Sequence, residues 1–303
     1  MTAVRYLIEH LTRYSYSARV STSQHLAYLS PRALARQSLL EHSLTIDPEP
    51  SERLERQDYF GNRVCQFTVL SPHRSLAVTG RSIVEVADTS SPIDAARSPA
   101  WEDVSAHLAY QRATPAHEAH QFAYRSPYVV GTPEIEVFAR RCFTAGAPLL
   151  VAALDLMHCI HEEFTFDPEA TTITTPVSRV LGDRHGVCQD FAHLQIACLR
   201  TLGLPARYVS GYLLTDPPKG QPRLVGADAS HAWLAVHCPV NGWVDLDPTN
   251  DMIADSRHIT VAWGRDYGDV SPLRGVILGG AEHRLEVGVS VVPAPPDASS
   301  PPA

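Results

Sequence analysis

Apolar and polar residues alternate through the first part of the chain in the period of two that marks strands with one buried face. Val4 to Tyr16 is rich in aromatic and branched residues, as an amphipathic strand requires. Cys65, Phe67 and Val69 share a face just after the Gly61-Asn62 turn signal, and Leu76, Val78, Val84 and Val86 repeat the pattern with Gly80 between them. Pro31, Pro48, Pro50 and Pro72 punctuate the connections. An antiparallel β domain over residues 1–90 is the expectation.

Between Ala87 and Ala100 the chain turns to Ser, Asp, Pro and Ala, the look of an exposed connection. Helical patterns then dominate from Trp101 to Ile160, with residues 91–125 read as a linker or helical connection. Thr132-Pro133 followed by Glu134 and Glu136 is a helix start, with proline in the first turn and acids near the positive end of the dipole. Leu150, Leu154, Met157 and Ile160 predict a helix from Pro148 to Phe164. Phe191, Leu194, Cys198, Leu199 and Leu202 predict another from Cys188 to Leu202, stopped by Gly203 and Pro205. Strands follow at Ala206–Leu214, Ser230–Cys238 and Trp243–Asp247, the last two joined by a turn carrying the Asn241-Gly242 hairpin signal. The fold class is therefore α+β, with a core over 126–270 in which a helix beginning at a cysteine packs on an antiparallel sheet. Residues 271–292 read as a C-terminal strand region, with alternation from Arg284 to Val292. Residues 293–303 are a Pro, Ala and Ser tail expected to be disordered.

Composition narrows the function classes. A hydrophobic fraction of 44% and a charged fraction of 19% over 303 residues are those of a globular chain with room for two domains. The net charge is -8, and no basic run stands out, so nucleic acid and anionic membrane surfaces are not expected as partners. The start lacks a signal-like apolar stretch, and the richest apolar run, Pro148 to Ile160, is short and carries Asp155, so a soluble cytoplasmic protein is the expectation. The six cysteines are scattered without CxxC spacing and read as free thiols.

One of those thiols has a distinctive setting. Arg184-His185-Gly186-Val187-Cys188-Gln189-Asp190 places Cys188 at the start of a predicted helix, where unpaired backbone N–H groups and the dipole favour an anion. That lowers a thiol below its free pKa of about 8.5. The Cys188 backbone N–H is also available to a developing oxyanion. Among fifteen histidines, His231 is singled out because the polar run Asp228-Ala229-Ser230 enters an apolar strand there. If the strands on either side of Asn241-Gly242 form a hairpin, a carboxylate near Asp247 can face that imidazole and orient it. Asp245 has the same strand parity, so alternation alone does not choose between the two.

In order and context, Gly186-Val187-Cys188, Ser230-His231-Ala232-Trp233 and Leu246-Asp247-Pro248-Thr249 resemble the transglutaminase-like core, in the sequence Cys, His, Asp. The stretches GVCQDFAHLQIACLRTLGLPARYVSGYL and DASHAWLAVHCPVNGWVDLDPTN resemble bacterial transglutaminase-like proteins described as cysteine proteases, and the segments around Tyr14 to Val20 and Asp58 to Asn62 resemble the family's accessory β domain. The resemblance covers nearly the whole chain except the tail. It implies a papain-like arrangement with Cys188 as nucleophile, His231 as general base and acid and Asp247 as the orienting acid, acting on an amide bond in a peptide or protein. Hydrolysis of a peptide or isopeptide bond is the leading reading; transfer to an amine and a catalytically silent peptide-binding module are the alternatives. The calcium loops of animal transglutaminases have no counterpart, so no cofactor is implied.

Other candidates have ordinary explanations. Gln189, Asp190, Ser230 and Trp233 are possible cleft residues, yet Asp190 suffices as a helix-capping acid and Trp233 as a core tryptophan. His193 lies on another part of its helix and reads as structural, and His185 as a solvated loop residue. His158 and His161 have i, i+3 spacing, but neither an HExxH order nor a second ligand pair accompanies them, so no metal site is expected.

Overall fold

In a computed structural model, residues 3–87, 93–109, 118–215 and 230–294 are described. Five strands come first, β1 (Ala3–Ala27), β2 (Gln37–Asp47), β3 (Glu52–Gln57), β4 (Arg63–Val69) and β5 (His73–Ala87). The middle of the chain holds α1 (Trp101–His107), α2 (Pro133–Ala139), α3 (Leu149–Glu163), β6 (Thr165–Phe166), α4 (Val177–Asp183), β7 (His185–Gly186) and α5 (Cys188–Thr201). Then come β8 (Ala206–Leu213), β9 (Ser230–Cys238), β10 (Gly242–Asp247), β11 (Met252–Ile253), β12 (His258–Gly264), α6 (Tyr267–Val270), β13 (Leu273–Gly279) and β14 (His283–Ala294).

The first strand organises the N-terminal sheet. It runs 25 residues, well past the predicted end at Tyr16, because register shifts between Ser15 and Val20 and between Val20 and Thr22 change which parity is buried. Tyr6, Ile8, His10, Thr12 and Tyr16 are buried before the irregularity, and Ser23, His25 and Ala27 after it. The order is β2-β5-β1-β4-β3, with β13 and β14 also pairing with β1. The C-terminal strands thus return to the N-terminal sheet; β13 falls within the expected strand region over 271–292, though only the alternation from Arg284 to Val292 had been read as a strand of its own. β14 reaches Ala294, two residues into the expected tail, with Pro293 opposite Tyr6 on a strand whose only described partner is β1. The rest of that tail, residues 295–303, lies outside the described residues.

The second sheet has the antiparallel order β11-β10-β9-β8-β12. α5 packs on its β8 and β9 strands, while α2, α3 and α4 pack around α5. The Thr132 side chain caps α2 by accepting from the Ile135 N–H, and Gly203 ends α5 at a φ of 75°. β12 was not anticipated. All but Trp263 of its seven residues are buried, so it shows a continuous run in place of alternation.

Both parts share one core. Tyr6, Ile8, Val84 and Val86 of the N-terminal sheet pack in the same cluster as Leu150, Leu194 and Leu234 of the helical and second-sheet region. The Asp58-to-Asn62 turn latches the two together. Asp58 accepts from the N–H groups of Phe60 and Asn62 and from the Asn62 side chain. The buried Asn62 donates to the Trp263 carbonyl at 2.8 Å and accepts from the Trp263 N–H at 3.0 Å. An amide that completes a backbone pair in this way gives the two sheets a fixed relation.

Candidate active site

The α5 helix opens at Cys188, and Asp190 shapes that opening. Its carboxylate accepts from the Val187 N–H at 2.9 Å and from the Thr171 hydroxyl at 2.6 Å. A Cβ at Gly186 would lie 2.9 Å from the Asp190 carboxylate, so glycine there lets the cap form. The half-buried Cys188 stands at the first helical position, among the N–H groups that no preceding turn can satisfy. Asp190 is buried in this capping role, and burial raises its pKa despite those two hydrogen bonds.

The carboxylate partner is settled by cross-strand register. β9 and β10 pair with Leu234 opposite Leu246 and Ala235 opposite Asp245, so each acid reaches diagonally to the residue two positions beyond its direct partner. Asp245 accepts from Trp233 Nε1 at 3.0 Å. Asp247 lies 2.7 Å from His231 Nε2. Strand parity left these two acids equivalent; the diagonal offset separates them.

Trp233 is fully buried and does not line the cleft. It packs with Val209, Ala235, Trp243 and Trp263, and its ring stacks behind His231 with centroids 6.0 Å apart. The possible cleft role is thereby corrected: the apolar side of the second sheet absorbs the indole, and a Cβ on Gly211 would collide with it. Ser230 and Gln189 do line the cavity that holds Cys188 and His231, with a volume of about 370 Å³.

Two opposing effects act on His231. Burial pulls its pKa down, but hydrogen bonds to Asp247 and to Cys188 outweigh that and push it up to about 10. With Nε2 engaged by Asp247, Nδ1 is the ring nitrogen left for the thiol. Burial works against ionised Asp247 as well, yet hydrogen bonds from His231, His258 and Asn250 hold it well below the usual carboxylate range. Chemically, the carboxylate fixes the imidazole and favours its charged form, with the Cys188 thiol in the same cavity.

His258 escaped the sequence reading. It sits fully buried on β12, with Nε2 3.1 Å from Asp247 Oδ2 and Nδ1 3.2 Å from both the backbone nitrogen and Oδ1 of Asp255, so the ring bridges two acids. Nothing in the buried run of β12 marks it, because the only signal is eleven residues of separation from Asp247. Asn250 completes the set, donating to Asp247 Oδ2 at 2.7 Å. His258→Phe keeps a ring and removes the donor, so a loss of about 1.5–3 kcal/mol of stability is expected from urea denaturation, the worth of a hydrogen bond to a charged group. A change below a few tenths would show that Asp247 does not depend on it.

The histidines at i, i+3 serve this same turn. His158 Nδ1 lies 2.8 Å from Asp251 Oδ2, and His161 Nδ1 lies 3.0 Å from the Thr249 carbonyl. Ligand atoms of His231, Asp247 and His258 do lie within 4.8 Å of one another, as their mutual hydrogen bonds require. His193 is buried with its pKa pushed down to about 3 by desolvation and Arg200, and its Nε2 accepts from the Tyr267 N–H at 3.1 Å. His185 is exposed, with Nδ1 2.7 Å from the Asp183 carbonyl. Asp228 and Ala229, which framed His231 in the sequence, lie outside the described residues.

Comparison with known proteins extends along most of the chain. A family described as the bacterial transglutaminase-like N-terminal region matches residues 6–85, and the transglutaminase-like superfamily core matches residues 138–248. An uncharacterised protein of Mycobacterium tuberculosis is 43% identical, the match spanning 97% of this chain and 94% of the relative. A protein-glutamine gamma-glutamyltransferase of Pseudomonas aeruginosa is 38% identical over 124 residues, which is 39% of this chain and 18% of that protein. Among solved structures, a candidate cysteine protease from Cytophaga hutchinsonii has the same fold, with a TM-score of 0.74 at 18% identity over 99% of this chain and 93% of that one.

Proposed function

This chain belongs to the transglutaminase-like superfamily, and from that premise we propose that it is a cysteine-dependent acyl-transfer enzyme that cleaves a peptide, isopeptide or other amide bond. The observation that carries the reading is the 2.7 Å hydrogen bond between His231 and the buried Asp247 carboxylate, with Cys188, at the start of a helix, lining the same cavity as His231.

In the cycle, the Cys188 thiolate adds to the amide carbonyl and forms a C–S bond. The oxyanion is met by the Cys188 N–H at the head of α5. Protonated His231 gives its proton to the leaving nitrogen as the C–N bond breaks, which leaves a thioester and a neutral imidazole. His231 then takes a proton from the acceptor, and collapse of the second tetrahedral intermediate returns the thiolate and imidazolium. Asp247 stays ionised throughout and stabilises the charged ring.

Water is the favoured acceptor. It is present at about 55 M, and an amine competes only where a dedicated site raises its effective molarity. Hydrolysis is therefore proposed over transfer, and the Pseudomonas aeruginosa relative is the specific reason to keep the amine alternative in the same assay.

The first test is the pH dependence of iodoacetamide labelling, with modified cysteines located by peptide mass spectrometry. Burial pushes the Cys65 thiol up, pushes Cys142 up to about 12 with help from neighbouring Cys159, and pushes Cys198 up further. Cys188 should be labelled rapidly well below pH 8 and ahead of these three. Labelling of Cys188 no faster than theirs would remove the nucleophile from the proposal and favour a silent peptide-binding module.

A further inference from the structure

The cavity that holds Cys188 and His231 has a wall from the other half of the molecule. His10, Thr12 and Tyr14 of β1 line it together with Leu285 and Val287 of β14. In the pairing of these strands Tyr14 stands opposite Leu285 and Thr12 opposite Val287, so all four side chains leave the sheet on one face, at successive positions of the period-two pattern. An antiparallel sheet that buries one face usually covers its aliphatic residues, yet Leu285 is 47% exposed and Val287 48%. They front open space beside the catalytic groups.

The lining has a second property. Among the described residues it contains no Lys, Arg, Asp or Glu. His10 is fixed by Tyr212 and Thr12, at 3.0 Å and 3.2 Å from its two ring nitrogens, and burial holds it neutral at neutral pH. Ile173 and Leu273 add further apolar lining. At about 370 Å³ the space lies near the lower end of ligand pockets, roughly 300–1,000 Å³, and suits a side chain with its adjoining backbone.

We infer that the N-terminal sheet, through Tyr14, Leu285 and Val287, forms the specificity wall of the cleft, and that this wall takes an uncharged apolar or aromatic group flanking the scissile bond. The inference rests on the reading of Cys188 as the nucleophile. It gives the N-terminal region a direct part in choosing the substrate: a charged group against Leu285 and Val287 would lose its water and, among the described lining residues, meet no counter-ion but His231, which Asp247 already engages, whereas an apolar group removes its own surface and that of Leu285 and Val287 from water.

The test uses the full chain and three alkylating probes that share one reactive group: iodoacetamide, N-(2-phenylethyl)iodoacetamide and 3-(iodoacetamido)propanoate. Second-order rate constants are measured at Cys188 by peptide mass spectrometry. The wild-type protein should prefer the phenylethyl probe over iodoacetamide by about tenfold or more, and should disfavour the carboxylate probe. Leu285→Glu and Val287→Glu, both at half-exposed positions that tolerate charge, should each cut the phenylethyl preference by about fivefold or more, while Val287→Ile keeps it. Preference is read in every variant as the ratio of the phenylethyl to the iodoacetamide rate constant at Cys188, so a change in the thiol's own reactivity cancels.

No preference among the probes in the wild type would overturn the inference. So would a preference that survives both glutamate variants while iodoacetamide still labels Cys188 rapidly, because the wall would then lie elsewhere. If iodoacetamide labels Cys188 no faster than the buried thiols, the nucleophile reading fails and this inference falls with it.

Discussion

Cys188→Ala is expected to abolish turnover while the protein still folds, with a modest fall in unfolding temperature as His231 loses one of its partners. The removed atom is the one that forms the thioester, and general-base attack by water without it has no acyl-enzyme to resolve. Loss of a nucleophile acting as part of a unit costs on the order of 10⁴-fold or more. The fold itself should form. Alanine is the best helix former, the Asp190 cap does not involve the thiol, and Cys188 is only half-buried at the edge of the core. One further effect has a definite sign. Cys188 is one of the groups that raise the His231 pKa, so in the variant that pKa should fall below about 10, while Asp247 still holds it up. The measurements are initial rates on a substrate selected from a peptide library by mass spectrometry, thermal unfolding, and NMR titration of His231. Activity within tenfold of wild type in a folded variant would sink the mechanism.

Asp247→Asn should be nearly as costly to activity and should also reshape stability against pH. An amide there offers one oxygen where the carboxylate meets His231, His258 and Asn250 on a single Oδ2, and it can turn an N–H towards the imidazole and impose the wrong tautomer. A fall of about 10³ to 10⁴ in kcat/KM is expected, by analogy with other triads. Asp245→Asn is the control, since Asp245 accepts from Trp233 and does not contact His231; its activity should stay within about tenfold. If the two variants were equally impaired, Asp247 would have no special place.

The pH arms follow from the two shifts. Asp247 is held below its unfolded value of about 3.9, so its stabilisation is present above that value and is lost as pH falls through the lower folded one. His231 is raised to about 10 from an unfolded value of about 6.5, so its stabilisation is complete below about pH 6.5 and is lost as pH rises towards 10. Wild-type stability should therefore decline on both sides, and Asp247→Asn should flatten both arms in urea titrations. An unchanged profile between pH 6.5 and 10 would count against the His231 interaction.

Much of the architecture was legible where one face of an element is buried. The alternation at Cys65, Phe67 and Val69 and at Leu76 and Val78 matches strands β4 and β5, and the helical stripe after Cys188 matches α5 up to Gly203. The helix start at Cys188 and the strand mouth at His231 carried local signals, whereas Asp247 was set apart from Asp245 by the family resemblance alone. β12 was not, since a strand buried on both faces carries no period. The second half of β1 was missed because bulges shift its parity partway along, and Trp233 stood open between cleft and core because a strand position does not say which cluster its face will meet.

Local chemistry in the sequence thus determined the α+β class, the helix that begins at Cys188 and the order of the three polar groups, since propensity, capping and turn geometry depend on near neighbours. Tertiary structure alone decided the rest: the diagonal that gives His231 to Asp247 and Trp233 to Asp245, the second imidazole from His258, and the return of β14 to form a wall of the cleft beside β1. Each of these depends on register between segments distant in the chain, or on a side chain from a strand with no amphipathic signature, and no local pattern encodes either.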